Sequence, residues 1–130
     1  MKDKIFIGVR ILFGLMMANS GLNKFLNYMP IPKMTESAEA LMGALGASIY
    51  IFPLVAVVEI LAGGLIITKK YNAVGAILMM PVTINIFLIH TVLNPAGIIL
   101  SLVLLLINLW IIAENKSKFA PLFEDLKTIE

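Results

Sequence analysis

The chain predicts an all-α membrane protein, a four-transmembrane-helix up-and-down bundle with a short amphipathic helix in the outer loop between helices one and two. Its residues are 60% hydrophobic, with a mean hydropathy of +0.98, far above the roughly half-apolar average of soluble domains. Four apolar blocks, about 5–22, 45–68, 73–93 and 96–113, each approach the roughly 20 residues that cross a hydrocarbon core. They occupy most of the 130 residues. Too little polar sequence is left to shield them from water, so the expectation is one integral membrane domain over 1–130.

Each element has a local reason. Lys2 and Lys4 precede the first block as they would in a signal peptide, but no small-x-small cleavage pattern follows and Arg10 interrupts the apolar run. The block is therefore read as a retained helix. Beyond Leu22, Pro30 and Pro32 forbid a simple continuation. Thr35 is placed to cap a new short helix, and Glu36 and Glu39 suit its positive end. That helix lies along the outer face, folds back over the bundle, or is the outward extension of helix two. Lys69 to Asn72 form a tight turn between helices two and three, and Asn94 with Pro95 a second one between three and four. Short turns make these helices antiparallel neighbours. Pro53 and Pro81 fall inside helices, where a bend is expected.

Charge sets orientation and narrows the function classes. Lys2, Lys4, Arg10, Lys69, Lys70, Lys116, Lys118 and Lys127 share the side of the two termini, against Lys24 and Lys33 on the other. The excess of cations on that side predicts that both termini are cytoplasmic. Anionic lipid accounts for the pI near 9.0 without a nucleic-acid partner. There are no cysteines, so disulfides, thiolate metal sites and thiol redox cycles are excluded. No metal site is expected, and there is no phosphate-binding glycine loop, nucleophile motif or zinc signature.

The residues that invite chemistry are the polar ones within the blocks. Glu59 is the sole formal charge between Ile49 and Thr68, and a carboxylate in hydrocarbon must find a partner, a proton or water. Counted from the helix ends, Arg10 is about 8 Å deep and Glu59 about 13 Å, with Asn108 at about 8 Å and Asn85 at about 18 Å. Each helix thus offers one polar group to a shared interior zone, and the similar depths predict an Arg10–Glu59 pair. Arg10, Gly14, Met17, Gly21 and Lys24 recur at helical spacing on one face, as do Ser101, Asn108 and Asn115. A second polar group lies toward the outer side: Asn19, Ser20, Asn23, Lys24, Tyr50, His90 and Asn94. His90, the single histidine, is the one side chain with an ordinary pKa near neutrality. The candidate ligand-binding residues are Arg10, Glu59, Asn85, His90 and Asn108. The structural alternative is that they fix helix packing alone.

Several segments resemble the DoxX family of small four-helix membrane proteins. They are RILFGLMMANSGLNKF from Arg10, the PIP at Pro30 to Pro32, FPLVAVVEILAGGLI from Phe52, YNAVGAILMMPVTINIFLIH ending at His90, and NLWIIAENKSKFAPLF from Asn108. The resemblance implies a bacterial inner-membrane protein with both termini inside, in a family whose members are described as quinol-linked oxidoreductase subunits or parts of redox and oxidative-stress complexes. It implies head-group contacts at Arg10, Glu59, and Asn85 or His90.

The function expected is therefore an accessory subunit binding a quinone or other hydrophobic ligand in a redox or stress-response membrane complex. No cofactor is certain from the sequence, and a quinone or lipid is the class left open; His90 alone makes a poor metal or haem site. Expected partners are membrane lipid, a redox enzyme subunit, or a second copy in a dimer. Two alternatives stay open: a small proton-coupled transporter, and a lipid-modifying enzyme using Glu59 or His90 as acid or base.

Overall fold

Two long helices come into backbone contact because glycines face each other along their seam. In the computed structural model, which describes residues 2–30 and 33–128, α1 (Lys2–Leu26) packs along α3 (Ile51–Ile67). A Cβ on Gly14 would lie 2.7 Å from the Gly63 carbonyl oxygen, one on Gly63 2.6 Å from that of Gly14, and one on Gly21 2.6 Å from that of Ala56. No side chain fits there, so the backbones approach as closely as in other small-residue membrane seams. The pairing of Gly14 with Gly63 and of Gly21 with Ala56 makes the two helices antiparallel. Gly75 does the same for α4 (Asn72–Leu88), where a Cβ would stand 2.7 Å from the Ala62 carbonyl oxygen of α3.

The described residues are all-α, without strands, and comprise six α-helices. α5 (Ile98–Glu114) packs on α4 and touches α1, and α6 (Lys116–Thr128) follows it. Phe13, Met17, Ala62, Ile66, Ala76, Met79 and Ile111 form the buried apolar centre between the helices. Many large apolar side chains, including Leu12, Leu61, Val74, Ile99 and Leu106, point outward, as hydrocarbon-facing residues do. Three helical stretches are long and apolar enough to cross a membrane: Asp3–Leu26, Asn72–Leu93 and Pro95–Glu114. A fourth exists if the bent pair of α2 (Glu36–Ala47) and α3 counts as one span. The chain is thus a multi-pass membrane protein.

The expected second block, 45–68, is not one helix. It breaks at Ser48 to Tyr50, and α2 and α3 meet at 92°. Ser48 Oγ donates to the Leu45 carbonyl (2.6 Å) and accepts from the Ile51 N–H (3.3 Å), replacing helical backbone bonds at the corner. Pro53, expected as an interior kink, stands in the first turn of α3, where its missing N–H leaves nothing unpaired. Thr35 caps α2 as anticipated, accepting from the Ala38 N–H at 3.2 Å. Its hydroxyl also bonds the carbonyl of Leu93, at the end of the helical turn that follows α4. These two ends hold α2 across the end of the bundle.

The other boundaries are local chemistry. Asn27, with φ of 51°, ends α1 in the left-handed conformation that asparagine tolerates. Tyr28 folds back onto Asn19, and the Met29 N–H bonds Asn23 Oδ1 at 2.8 Å. Pro32, expected to bar helical continuation, lies outside the described residues. α4 continues into a π-helical turn, Ile89–Leu93, and a 3-10 turn, Pro95–Gly97, leads into α5.

Gly63→Leu should lower stability by about 1–3 kcal/mol or more through overpacking, whereas Gly64→Leu should change it little because nothing lies within 4 Å of a Cβ there. Thermal unfolding of the detergent-solubilised variants measures the difference.

Candidate functional site

The glycine seam determines which cation Glu59 meets. With Gly21 against Ala56, the C-terminal turn of α1 passes beside the first half of α3, and Lys24 Nζ reaches Glu59 Oε1 at 2.7 Å. Lys24 also donates to Ser20 Oγ at 3.1 Å. The carboxylate is 1% exposed and the lysine side chain 19%. The second oxygen, Oε2, is sealed without any hydrogen-bond partner. Among the described residues this is the one salt bridge.

The expected Arg10–Glu59 pair is not formed. Arg10 is inside the protein, 6% exposed, but its Nη2 donates to the Ile67 carbonyl at 3.3 Å, and its guanidinium lies 5.7 Å over the Phe6 ring. Ile67 ends α3 eight residues beyond Glu59, a rise of about 12 Å. Counting depth from the helix ends misled because it takes those ends as level. In fact α1 overshoots the end of α3 by about two turns, which puts Arg10 beside the last α3 carbonyls. Those carbonyls lack helical partners and carry the negative end of the helix dipole, so they attract the guanidinium.

The ion pair borders two adjoining cavities beneath α2. The larger, about 630 Å³, is lined on its polar side by Asn23, Lys24, Asn27, Glu39, His90 and Asn94. Met29, Met34, Met42, Phe52, Ile86 and Ile89 supply apolar wall. The smaller, about 320 Å³, reaches Ser20, Glu59 and Asn85 and shares Lys24, Phe52 and Ile86 with the first. These volumes fall within the range of small-molecule sites. His90 sits in the π-helical turn, and such turns are frequent at functional positions. Its Nδ1 is 2.8 Å from the Ile86 carbonyl oxygen, which can only accept, so Nδ1 is the donor and Nε2 of the neutral ring keeps its lone pair. The ring edge rests on Gly97, where any Cβ would overlap it.

The other anticipated residues are distributed differently. Asn108 is fully buried between α4 and α5, donating to the Ala76 carbonyl at 3.0 Å and accepting from Thr83 Oγ1 at 3.2 Å. It is not among the cavity-lining residues. Asn115 similarly donates to Asn72 Oδ1 at 2.6 Å. Asn85, expected in the interior zone, has an exposed side chain at the wall of the smaller cavity. Lys24, which the sequence places in the outer polar group, is the partner of Glu59 that counting depth does not find. The signal that finds it is the register: setting Gly14 against Gly63 puts Glu59 level with Ala18, six residues from Lys24 and eight from Arg10. No three His, Asp or Glu side chains converge as metal ligands among the described residues.

The DoxX family model matches residues 5–91, more than half of the chain. The chain belongs to the DoxX family. The matched part contains all but the first residues of α1, then α2, α3, α4 and the beginning of the π-helical turn, and hence Lys24, Glu59 and His90. No curated protein and no solved structure matches the chain.

A double-mutant cycle should separate the two cations. Lys24→Met should cost about 3 kcal/mol by leaving a buried carboxylate unpaired, and should couple to Glu59→Gln by about 1 kcal/mol or more. Arg10→Met and Glu59→Gln should be additive, as read from chemical or thermal unfolding.

Proposed function

We propose that this DoxX-family protein binds a quinone or similar amphiphile in the cavity under α2 and serves a redox or stress-response complex as an accessory subunit in the bacterial inner membrane. The observation that carries this reading is a buried ion pair with an unsatisfied carboxylate oxygen bordering an otherwise largely apolar cavity. An ion pair needed only for packing would be expected to have both carboxylate oxygens satisfied. Glu59 Oε2, sealed in this structure, would accept from a ligand hydroxyl once the carboxylate turns toward the cavity it borders, Lys24 retains an N–H to donate to a carbonyl, and His90 in its neutral form offers an accepting nitrogen. A head group with an oxygen that alternates between carbonyl and hydroxyl suits this set in either form. The methionines and Phe52 along the wall suit its ring and chain.

In this proposal α1, α3, α4 and α5 are the four spans of a single up-and-down membrane domain. Both termini are cytoplasmic, as the placement of lysines favours. α2 then covers the outer end of the bundle, with Thr35 and Ser48 supporting its two ends. An accessory role is preferred to turnover because Ser20, the hydroxyl at the cavity wall, accepts a hydrogen bond from Lys24 and is not paired, among the described residues, with a base that would activate it.

Binding of a fluorescent or spin-labelled ubiquinone analogue to the detergent-solubilised protein tests the reading. Saturable binding should weaken about tenfold or more in Glu59→Gln and Lys24→Met and remain near wild type in Asn108→Leu, provided each variant stays folded. Unchanged affinity in folded Glu59→Gln, or no saturable binding by the wild type, would remove the proposal.

A further inference from the structure

The buried guanidinium of Arg10, which meets no carboxylate among the described residues, lies far from the cavity. Arg10 and Lys24 are fourteen residues apart on α1, about 21 Å along its axis, and Arg10 lines neither cavity. Among the described residues no carboxylate stands within ion-pair distance of it. One of its N–H groups is used, by Nη2 toward the Ile67 carbonyl. Nε is sealed and unpartnered, whereas Nη1 has no partner among the described residues and is not among the sealed unpartnered atoms, so it keeps access to the surface. A peptide carbonyl carries only a partial charge. Burying a full cation against it leaves most of the ion's desolvation uncompensated.

The surroundings indicate what completes the pair. Thr68 follows Ile67 directly, and Lys69 and Lys70 occupy the exposed turn beyond it. Phe6 lies beneath the guanidinium, with Trp110 edge-on to Phe6 at 5.1 Å, and Trp110 Nε1 donates to Glu114 Oε1 at 3.1 Å. Tryptophan beside arginine and lysine at the end of an apolar helix is the composition of a membrane interface. There the abundant anion is the lipid phosphate, whose oxygens match the arginine fork. Glu114 is engaged by Trp110 and does not serve as the counter-ion.

We infer that Arg10, assisted by the Lys69–Lys70 turn, forms a phosphate-binding site at the end of the bundle opposite the α2 cavity, and that the head group of an anionic phospholipid occupies it. The phosphate oxygen bonds Nη1, the lysines add attraction at longer range, and the acyl chains run along the exposed apolar faces of the bundle. This site stands whether or not the α2 cavity holds a quinone.

The test uses the full chain in mild detergent. Phosphatidylglycerol, phosphatidylcholine or inorganic phosphate is added, with melting temperature and native mass spectrometry of retained lipid as readouts. Phosphatidylglycerol should raise the melting temperature more than phosphatidylcholine does and remain bound, with affinity falling about fivefold or more in Arg10→Gln and less in Arg10→Lys. Glu59→Gln should retain the effect. A shift with phosphatidylglycerol and none with inorganic phosphate assigns the anion to lipid, while equal shifts with both leave a phosphate site but overturn the lipid assignment. Equal responses to the two lipids in the wild type, or full phosphatidylglycerol retention by folded Arg10→Gln, would overturn the site. The wild-type lipid comparison decides even if Arg10→Gln does not fold, and Arg10→Lys then supplies the variant.

Discussion

The close approach of α1 and α3 is the constraint on which the rest of the structure depends. Where Gly14 meets Gly63 and Gly21 meets Ala56, a methyl group would collide with backbone oxygen. The helices can therefore slide past one another only at the cost of losing this contact. That register decides the electrostatics. Lys24 arrives within 2.7 Å of Glu59, and Arg10 arrives beside the terminal carbonyls of α3. A different offset would exchange those partners, so the packing of the smallest residues determines the pairing of the most costly ones.

The two halves of the molecule then differ in kind. Between α4 and α5 the polar groups are matched: Asn108 uses its amide nitrogen on Ala76 and its oxygen on Thr83, and Asn115 joins Asn72. Such bonds have no competition from water in an apolar interior and hold the helices in one arrangement. Beneath α2 the polar groups are not matched. Glu59 Oε2 has no partner, and a cavity of about 630 Å³ adjoins the one that reaches it. Polar satisfaction is complete in the region that holds α4 to α5 and incomplete beneath α2, where the proposed ligand would bind.

Much of the architecture was legible as pattern. The face of α1 read from helical spacing, Arg10, Gly14, Met17 and Gly21, is buried, with Lys24 at its half-buried end, and the stripe of Ser101, Asn108 and Asn115 on α5 is buried as well. Thr35 caps the helix it was expected to cap. The corner at Ser48 was less legible because an apolar run continues through it, and hydropathy does not register a hydroxyl that takes over backbone bonds. Pro53 carried that information, but a proline five residues beyond Ser48 is easily taken for an interior kink. The π-helical turn at His90 left no recognisable mark, since its i to i+5 bonds, such as that from the Asn94 N–H to the Ile89 carbonyl, are made by backbone and signalled by no residue type.

By itself the sequence determined that this is an all-α multi-pass membrane protein of the DoxX family and which side chains could not face lipid, because hydrophobicity and helical periodicity are properties of a segment on its own. Only the tertiary structure decided which cation neutralises Glu59, that α2 turns across the end of the bundle, and that a cavity remains there. Those outcomes depend on the axial offset between helices, and offset is set by contacts between residues distant in the chain. A few ångströms of it separate a site built on Lys24 from one built on Arg10.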